Sequence, residues 1–251
     1  MVFHVNCTTF ASKMANDYFQ FRQFIIRQNR CAMKVGTDGT LLGAWADCPA
    51  TSGPSRILDI GTGTGLIALM MAQRFPCAQI TAIDIDPQSV AQARENVAAS
   101  PFSERIIVHE EDLLNFSDIE GYDAIVCNPP YFVDSLTCPD DHRTTARHTV
   151  SLTYEGLMRS AFKLLKPNGL FSLVIPSDCR PSMESEAHLA GFFLSRVCLI
   201  RTTSKKAPKR QLIEFCKHSV NKMDISDGSI EISPNVRSPW YQQLTQAFYI
   251  K

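Results

Sequence analysis

The chain has no apolar run near the roughly 18 residues a membrane span needs, no excess charge of either sign, no C-x-x-C pair and no internal repeat. Lys plus Arg number 25 and Asp plus Glu 25, so no global field draws the chain to nucleic acid or lipid. Any basic surface must therefore be local. The nine cysteines, at 7, 31, 48, 77, 127, 138, 179, 198 and 216, are scattered and odd in number, which argues against a disulfide framework and a zinc site. The opening MVFHVNCTTFASK lacks a basic leader and a sustained apolar run, which argues against a secretory signal. The expectation is a cytoplasmic protein with reduced thiols, no metal and no membrane contact.

What is present is alternation. SRILDIG (55–61), AQITAID (78–84), RIIVHEED (105–112), YDAIVCN (122–128) and GLFSLVI (169–175) are short, β-branched and almost wholly apolar. Runs of that kind suit strands covered by helices on both faces. Between them lie helical patterns: GLIALMMAQRF, then DPQSVAQARENVAAS with Asp86 as N-cap and Pro87 at the first helical position, then SLTYEGLMRSAFKLLKPNG stopping at Pro-Asn-Gly. GFFLSRVCLI (191–200) and RQLIEFC (210–216) predict an antiparallel hairpin at the sheet's edge. The fold class is α/β, a doubly wound, Rossmann-like seven-stranded sheet, mostly parallel with that antiparallel edge hairpin. The loop at 133–150 is long for a compact domain, which suggests a mobile or ligand-contacting segment.

LDIGTGTGLIAL (58–69) is the sharpest motif. Gly61, Gly63 and Gly65 follow a strand and open a helix, letting the chain turn tightly and exposing amides that a Cβ would shield. Asp84 ends the next strand about twenty residues on, placed to accept two ribose hydroxyls. The alternatives are a turn built for packing or a dinucleotide site, but the latter calls for G-x-G-x-x-G, whereas this chain reads D-x-G-x-G-x-G led by Asp59. The loop resembles the cofactor loop of class I S-adenosylmethionine (SAM) methyltransferases, which implies that fold and SAM as cofactor. In that frame Asp112, at the end of the third strand, and Leu113 after it fall where the superfamily contacts adenine. Taken alone, EEDLL reads as a helix N-cap.

After the fourth strand comes VCNPPYF (126–132). Pro129 and Pro130 fix two φ angles and remove two donors, leaving a rigid loop rich in acceptors. The Asn128 side-chain carbonyl and the Pro129 main-chain carbonyl together suit a planar –NH2 group, each taking one hydrogen. Tyr131 is placed to stack on a flipped base, with Phe132 as a further wall. The same motif serves glutamine amides and guanine amines, so it names the reaction rather than the substrate.

FQFRQFIIRQNRCAMKVGTDGTLLGAWA (19–46) joins these motifs, with Thr37 or Asp38 as a helix cap. This stretch, with LDIGTGTGLIAL, IDID, NPPYF, ARH (146–148) and LTQAFYIK, resembles the bacterial tRNA1(Val) adenine-N6 methyltransferases over about residues 18–251. The resemblance implies a single catalytic domain over 18–251, tRNA as partner, adenine N6 as acceptor, and Gly36, Thr37 and Asp38 beside the methionine part of SAM. It leaves residues 1–17 as an extension, with Met14 a second candidate for the natural start. The runner-up is N5-glutamine methylation of a release factor, whose family usually has a separate helical domain ahead of the glycine loop; here only about 60 residues precede it. Guanine-N2 methylation of rRNA and a non-catalytic tRNA-binding module are further alternatives.

RNA needs a local basic surface. RTTSKKAPKRQ supplies Arg201, Lys205, Lys206, Lys209 and Arg210, stiffened by Pro208. A solvated hairpin tip is the plainer reading; beside a nucleotide-methylating sheet, Lys205, Lys206, Lys209 and Arg210 become expected phosphate contacts. His142, Arg143, Arg147 and His148 are weaker candidates.

Overall fold

The computed structural model describes residues 17–31, 34–49, 54–129 and 152–250. In chain order the elements are β1 (Tyr18–Gln20), β2 (Ile25–Arg27), α1 (Thr37–Trp45), β3 (Arg56–Ile60), α2 (Leu66–Arg74), β4 (Gln79–Asp84), α3 (Pro87–Ala98), β5 (Ile106–Glu110) and β6 (Tyr122–Cys127). They continue with α4 (Tyr154–Leu164), β7 (Leu165–Pro176), α5 (Arg180–Ala190), β8 (Phe193–Thr203), β9 (Arg210–Cys216), β10 (Asp224–Ser233), β11 (Val236–Arg237) and α6 (Pro239–Thr245).

Among the described residues nine strands form the main sheet in the order β11-β10-β8-β9-β7-β6-β3-β4-β5, and β1 pairs with β2 as a separate antiparallel hairpin. The seven expected strands are its contiguous body. From β5 to β7 every pairing is parallel, and β9 enters antiparallel between β7 and β8. The β8–β9 hairpin is not at the edge, because β10 adds parallel to β8 and β11 closes onto β10. β10 escapes the sequence pattern because its first four residues, DISD, are exposed and mostly polar, with one apolar residue to mark a strand.

Alternate strand residues feed two cores. Ile57, Ala124 and Val126 face α1, α2, α3 and the β1–β2 hairpin. Leu58, Ile60, Ile125 and Phe171 face α4 and α5. Covering both faces is what allows the strands to be apolar throughout. Three boundaries differ from expectation. α4 ends at Leu164, so Lys166–Gly169 belong to the start of β7. β5 ends at Glu110, two residues before Asp112. α1 is preceded by Gly36, with no side-chain cap, so neither Thr37 nor Asp38 caps it. The Asp86 cap of α3 is present, accepting from Gln88 N and Ser89 N, with Pro87 first in the helix.

The order reverses between β3 and β6, since the chain runs from β3 outward through β4 and β5 and then returns to the other side of β3. Ile60 is in register with Cys127. Gly61 and Asn128 therefore leave neighbouring strands at the same level, at the switch point where open α/β sheets bind ligands. No helix among the described residues is long and apolar enough to cross a membrane.

Candidate active site

The glycine loop is built around one fully buried acid. Gly61, Gly63 and Gly65 have φ of 67°, 56° and 81°, the left-handed region that an L side chain strains to enter. Gly61 N and Thr62 N both donate to Ile83 O, at 2.9 and 3.0 Å. Gly65 stands ahead of α2 with no side chain to cap it. Asp59 takes that job from within the strand: its Oδ2 accepts from Thr62 Oγ1 at 2.7 Å and from Ala68 N, in the first turn of α2, at 3.1 Å. Its Oδ1 has no partner among the described residues. Burial pushes the Asp59 carboxyl up to about 7, against those two hydrogen bonds.

Asp84 steadies the middle of the loop, its Oδ2 accepting from Gly63 N at 2.8 Å and its Oδ1 from Asp86 N at 3.0 Å. Burial raises this carboxyl too, with the Asp86 and Gly63 amides pulling the other way. Asn96 on α3 ties the loop to the N-terminal segment. Its Nδ2 donates to Thr64 O and Arg27 O, and its Oδ1 accepts from Arg27 N, all at 2.8 Å.

A cavity of about 470 Å³ opens above this frame. Gly61 to Thr64 form its floor, Lys34 and Val35 with Gly36 to Gly39 one wall, and Asn128 and Pro129 another. Ile200 and Thr202 of β8, Lys209, Arg210 of β9 and Ile230 of β10 complete it. A Cβ built on Gly61 or Gly63 would meet nothing within 4 Å, so both glycines keep open space against the cavity.

Of the residues singled out from sequence, Gly36, Thr37, Asp38, Gly61, Gly63, Asn128, Pro129, Lys209 and Arg210 meet in this one cavity. Asp59, Gly65 and Asp84 lie outside its lining and act on the loop's shape; Gly65 also packs against Ala93, 3.5 Å from an added Cβ. Asp112 caps no helix; its carboxylate accepts from Leu114 N and Asn115 Nδ2, at 3.0 Å each, to close a turn. Leu113 is buried in the core under α4. Lys205 and Lys206 are exposed in the β8–β9 turn. Pro130, Tyr131, Phe132, His142, Arg143, Arg147 and His148 lie outside the described residues. Sequence reading missed Lys34, which directly precedes the VGTDG motif, and Ile230, which sits on the unforeseen β10.

A curated tRNA1(Val) (adenine(37)-N6)-methyltransferase of Phocaeicola vulgatus is 51% identical over 237 residues, covering 94% of this chain and 99% of the relative. The chain belongs to this methyltransferase family. Residues 47–195 of this methyltransferase also match the model of the methyltransferase small domain. In fold it is similar to the crystal structure of a predicted O-methyltransferase from Agrobacterium tumefaciens, at TM-score 0.64 and 21% identity, over 84% of this chain and 96% of that one. It is also similar to a glycopeptide N-methyltransferase complexed with SAM, at TM-score 0.54 and 15% identity, over 74% and 90% of the two chains.

The donor set suits the cofactor of a SAM-dependent family. The amides of Gly61, Thr62 and Gly63 are spent within the loop, but the two glycines leave open space where a Cβ would stand, a carboxylate and basic side chains line the same cavity, and the volume lies in the range of small-molecule sites.

Proposed function

We propose that this methyltransferase acts on N6 of an adenine in tRNA, adenine 37 of tRNA1(Val), the activity for which its curated relatives are named. The observation that carries the reading is the shared cavity of Asn128, Pro129 and the glycine loop, set by the Ile60–Cys127 register. Gly36, Thr37, Asp38, Gly61 and Gly63 hold the cofactor, with Asp59, Gly65 and Asp84 shaping the loop and Asp112 and Leu113 on the adenine side. Bound there, SAM supplies the electrophilic methyl carbon of its sulfonium.

The exocyclic amine of adenine is a poor nucleophile because its lone pair is delocalised into the ring. Asn128 Oδ1 and Pro129 O each accept one amine hydrogen, which favours a pyramidal nitrogen and aims its lone pair. Tyr131 stacks on the flipped base, between Pro130 and Phe132. Held this way by Asn128 and Pro129, the amine nitrogen would be the group that takes up the methyl carbon that bound SAM would supply. The methylated amine is then strongly acidic and sheds its proton to water, so no base is assigned. The reaction needs no metal. Lys205, Lys206 and Lys209 contact phosphates along the approach to the cavity, and residues 18–251 act as one catalytic unit in the cytoplasm.

The test is methyl transfer from radiolabelled SAM to total tRNA of a strain lacking this gene, followed by nucleoside analysis and mapping. Label in N6-methyladenosine at position 37 of tRNA1(Val) is the expected result. Label in protein instead of tRNA would move the substrate to a glutamine amide.

A further inference from the structure

Arg210 sits among the basic residues of the 201–210 segment, yet its surroundings differ from those of the lysines. It is the first residue of β9, paired with Pro176 of β7 on one side and Ile200 of β8 on the other. Its backbone is thus clamped within the sheet, whereas Lys205 and Lys206 ride an exposed turn. Its Nε donates to Asp38 Oδ2 at 2.5 Å, across 172 residues of sequence, and both partners line the cavity. Side-chain exposure is 35% for Arg210 and 19% for Asp38, so solvent screens this pair less than one on open surface.

Asp38 lies in the first turn of α1, an end that lacks a side-chain cap at Gly36. The ion pair therefore joins the cavity end of α1 to β9 from the opposite wall. An RNA phosphate drawn to Arg210 would stand beside the Asp38 carboxylate, whose like charge opposes it. We propose that Arg210 is a positioning residue for the cofactor cavity, holding Asp38 and the first turn of α1 in place, and not an RNA contact. The inference rests on assigning the cavity to SAM.

Calorimetric titration of the full chain with SAM, without RNA, separates the two roles when run beside the salt dependence of tRNA binding. Arg210→Gln is expected to raise the SAM Kd about tenfold, worth ~1.4 kcal/mol, and to leave the salt slope of tRNA binding unchanged. Arg210→Lys should have a smaller effect. Asp38→Asn combined with Arg210→Gln should cost no more than the worse single change, as coupled partners do. A SAM Kd within twofold of wild type in Arg210→Gln would overturn the proposal, and a salt slope reduced by about 0.7–0.9 would return Arg210 to the RNA path. If Arg210→Gln fails to fold, Arg210→Lys is read in the same two titrations. A wild-type protein that binds no SAM would instead sink the cofactor assignment, a failure visible before any variant is made.

Discussion

Asn128 leaves β6 one residue after Cys127, beside the point where the glycine loop leaves β3. If its carbonyl serves only to orient the acceptor amine, Asn128→Ala removes an interaction made at the reacting centre and spares the cofactor's walls. Turnover should fall about 10²–10³-fold or more while the SAM Kd stays within several-fold, read by single-turnover kinetics and calorimetry. Equal losses in both would count against the role. Asp59 makes a different demand. Its carboxyl titrates near 7 in the folded protein against an ordinary 3.8, so the folded state holds its proton more tightly. That favours folding at low pH, and the advantage is lost as pH rises from about 4 through about 7. Relative to wild type, Asp59→Asn should therefore show a flatter fall of Tm across that window in cofactor-free protein. Parallel Tm profiles would show that the acid is already ionised in the fold.

At the scale of elements, no ladder among the described residues joins the N-terminal segment to the main sheet, and side-chain amides satisfy part of its backbone. Gln28 Oε1 accepts from Val35 N at 2.7 Å, Gln92 Oε1 from Arg30 N at 3.2 Å, and Asn96 holds both polar groups of Arg27. α1 lies close on α2 because Gly39 and Gly43 leave room for Leu66 and Met70. At the far edge, Gly228 on β10 lets the Trp240 ring of α6 lie where a Cβ would come within 2.4 Å. Gly228→Ala should cost about 1–3 kcal/mol through overpacking, seen as a Tm drop of several degrees. Ile230, two residues on, lines the cavity, so the same variant should also weaken SAM binding. An unchanged Tm would mean that the Trp240 ring swings aside freely.

For the whole molecule, balanced charge makes RNA affinity depend on where a few cations stand. Lys34 and Lys209 line the cavity, and Lys205 and Lys206 stand exposed on the β8–β9 turn. Reversing Lys205 and Lys206 to Glu should reduce the salt slope of tRNA binding by roughly 0.7–0.9 for each phosphate no longer neutralised, with SAM affinity unchanged. An unchanged slope would remove the turn from the RNA path.

The sequence by itself determined the local features. Glycines that need positive φ and apolar strands covered on both faces each declare themselves within a dozen residues, because backbone geometry and burial act at short range. The parallel sheet, the glycine loop and the Asn128 corner were legible for that reason. Tertiary structure alone decided the rest. β10 carries too little apolar patterning to announce a strand, so its place beside β8 and Ile230's place in the cavity emerge only from packing. Asp59 reads as a ligand contact in the motif but is buried beneath the loop, because the turn of α2 that it caps comes back over the strand end. Asp38 and Arg210 are unrelated in sequence and become partners only because β9 enters the sheet between β7 and β8, which brings its first residue to the cavity wall facing α1.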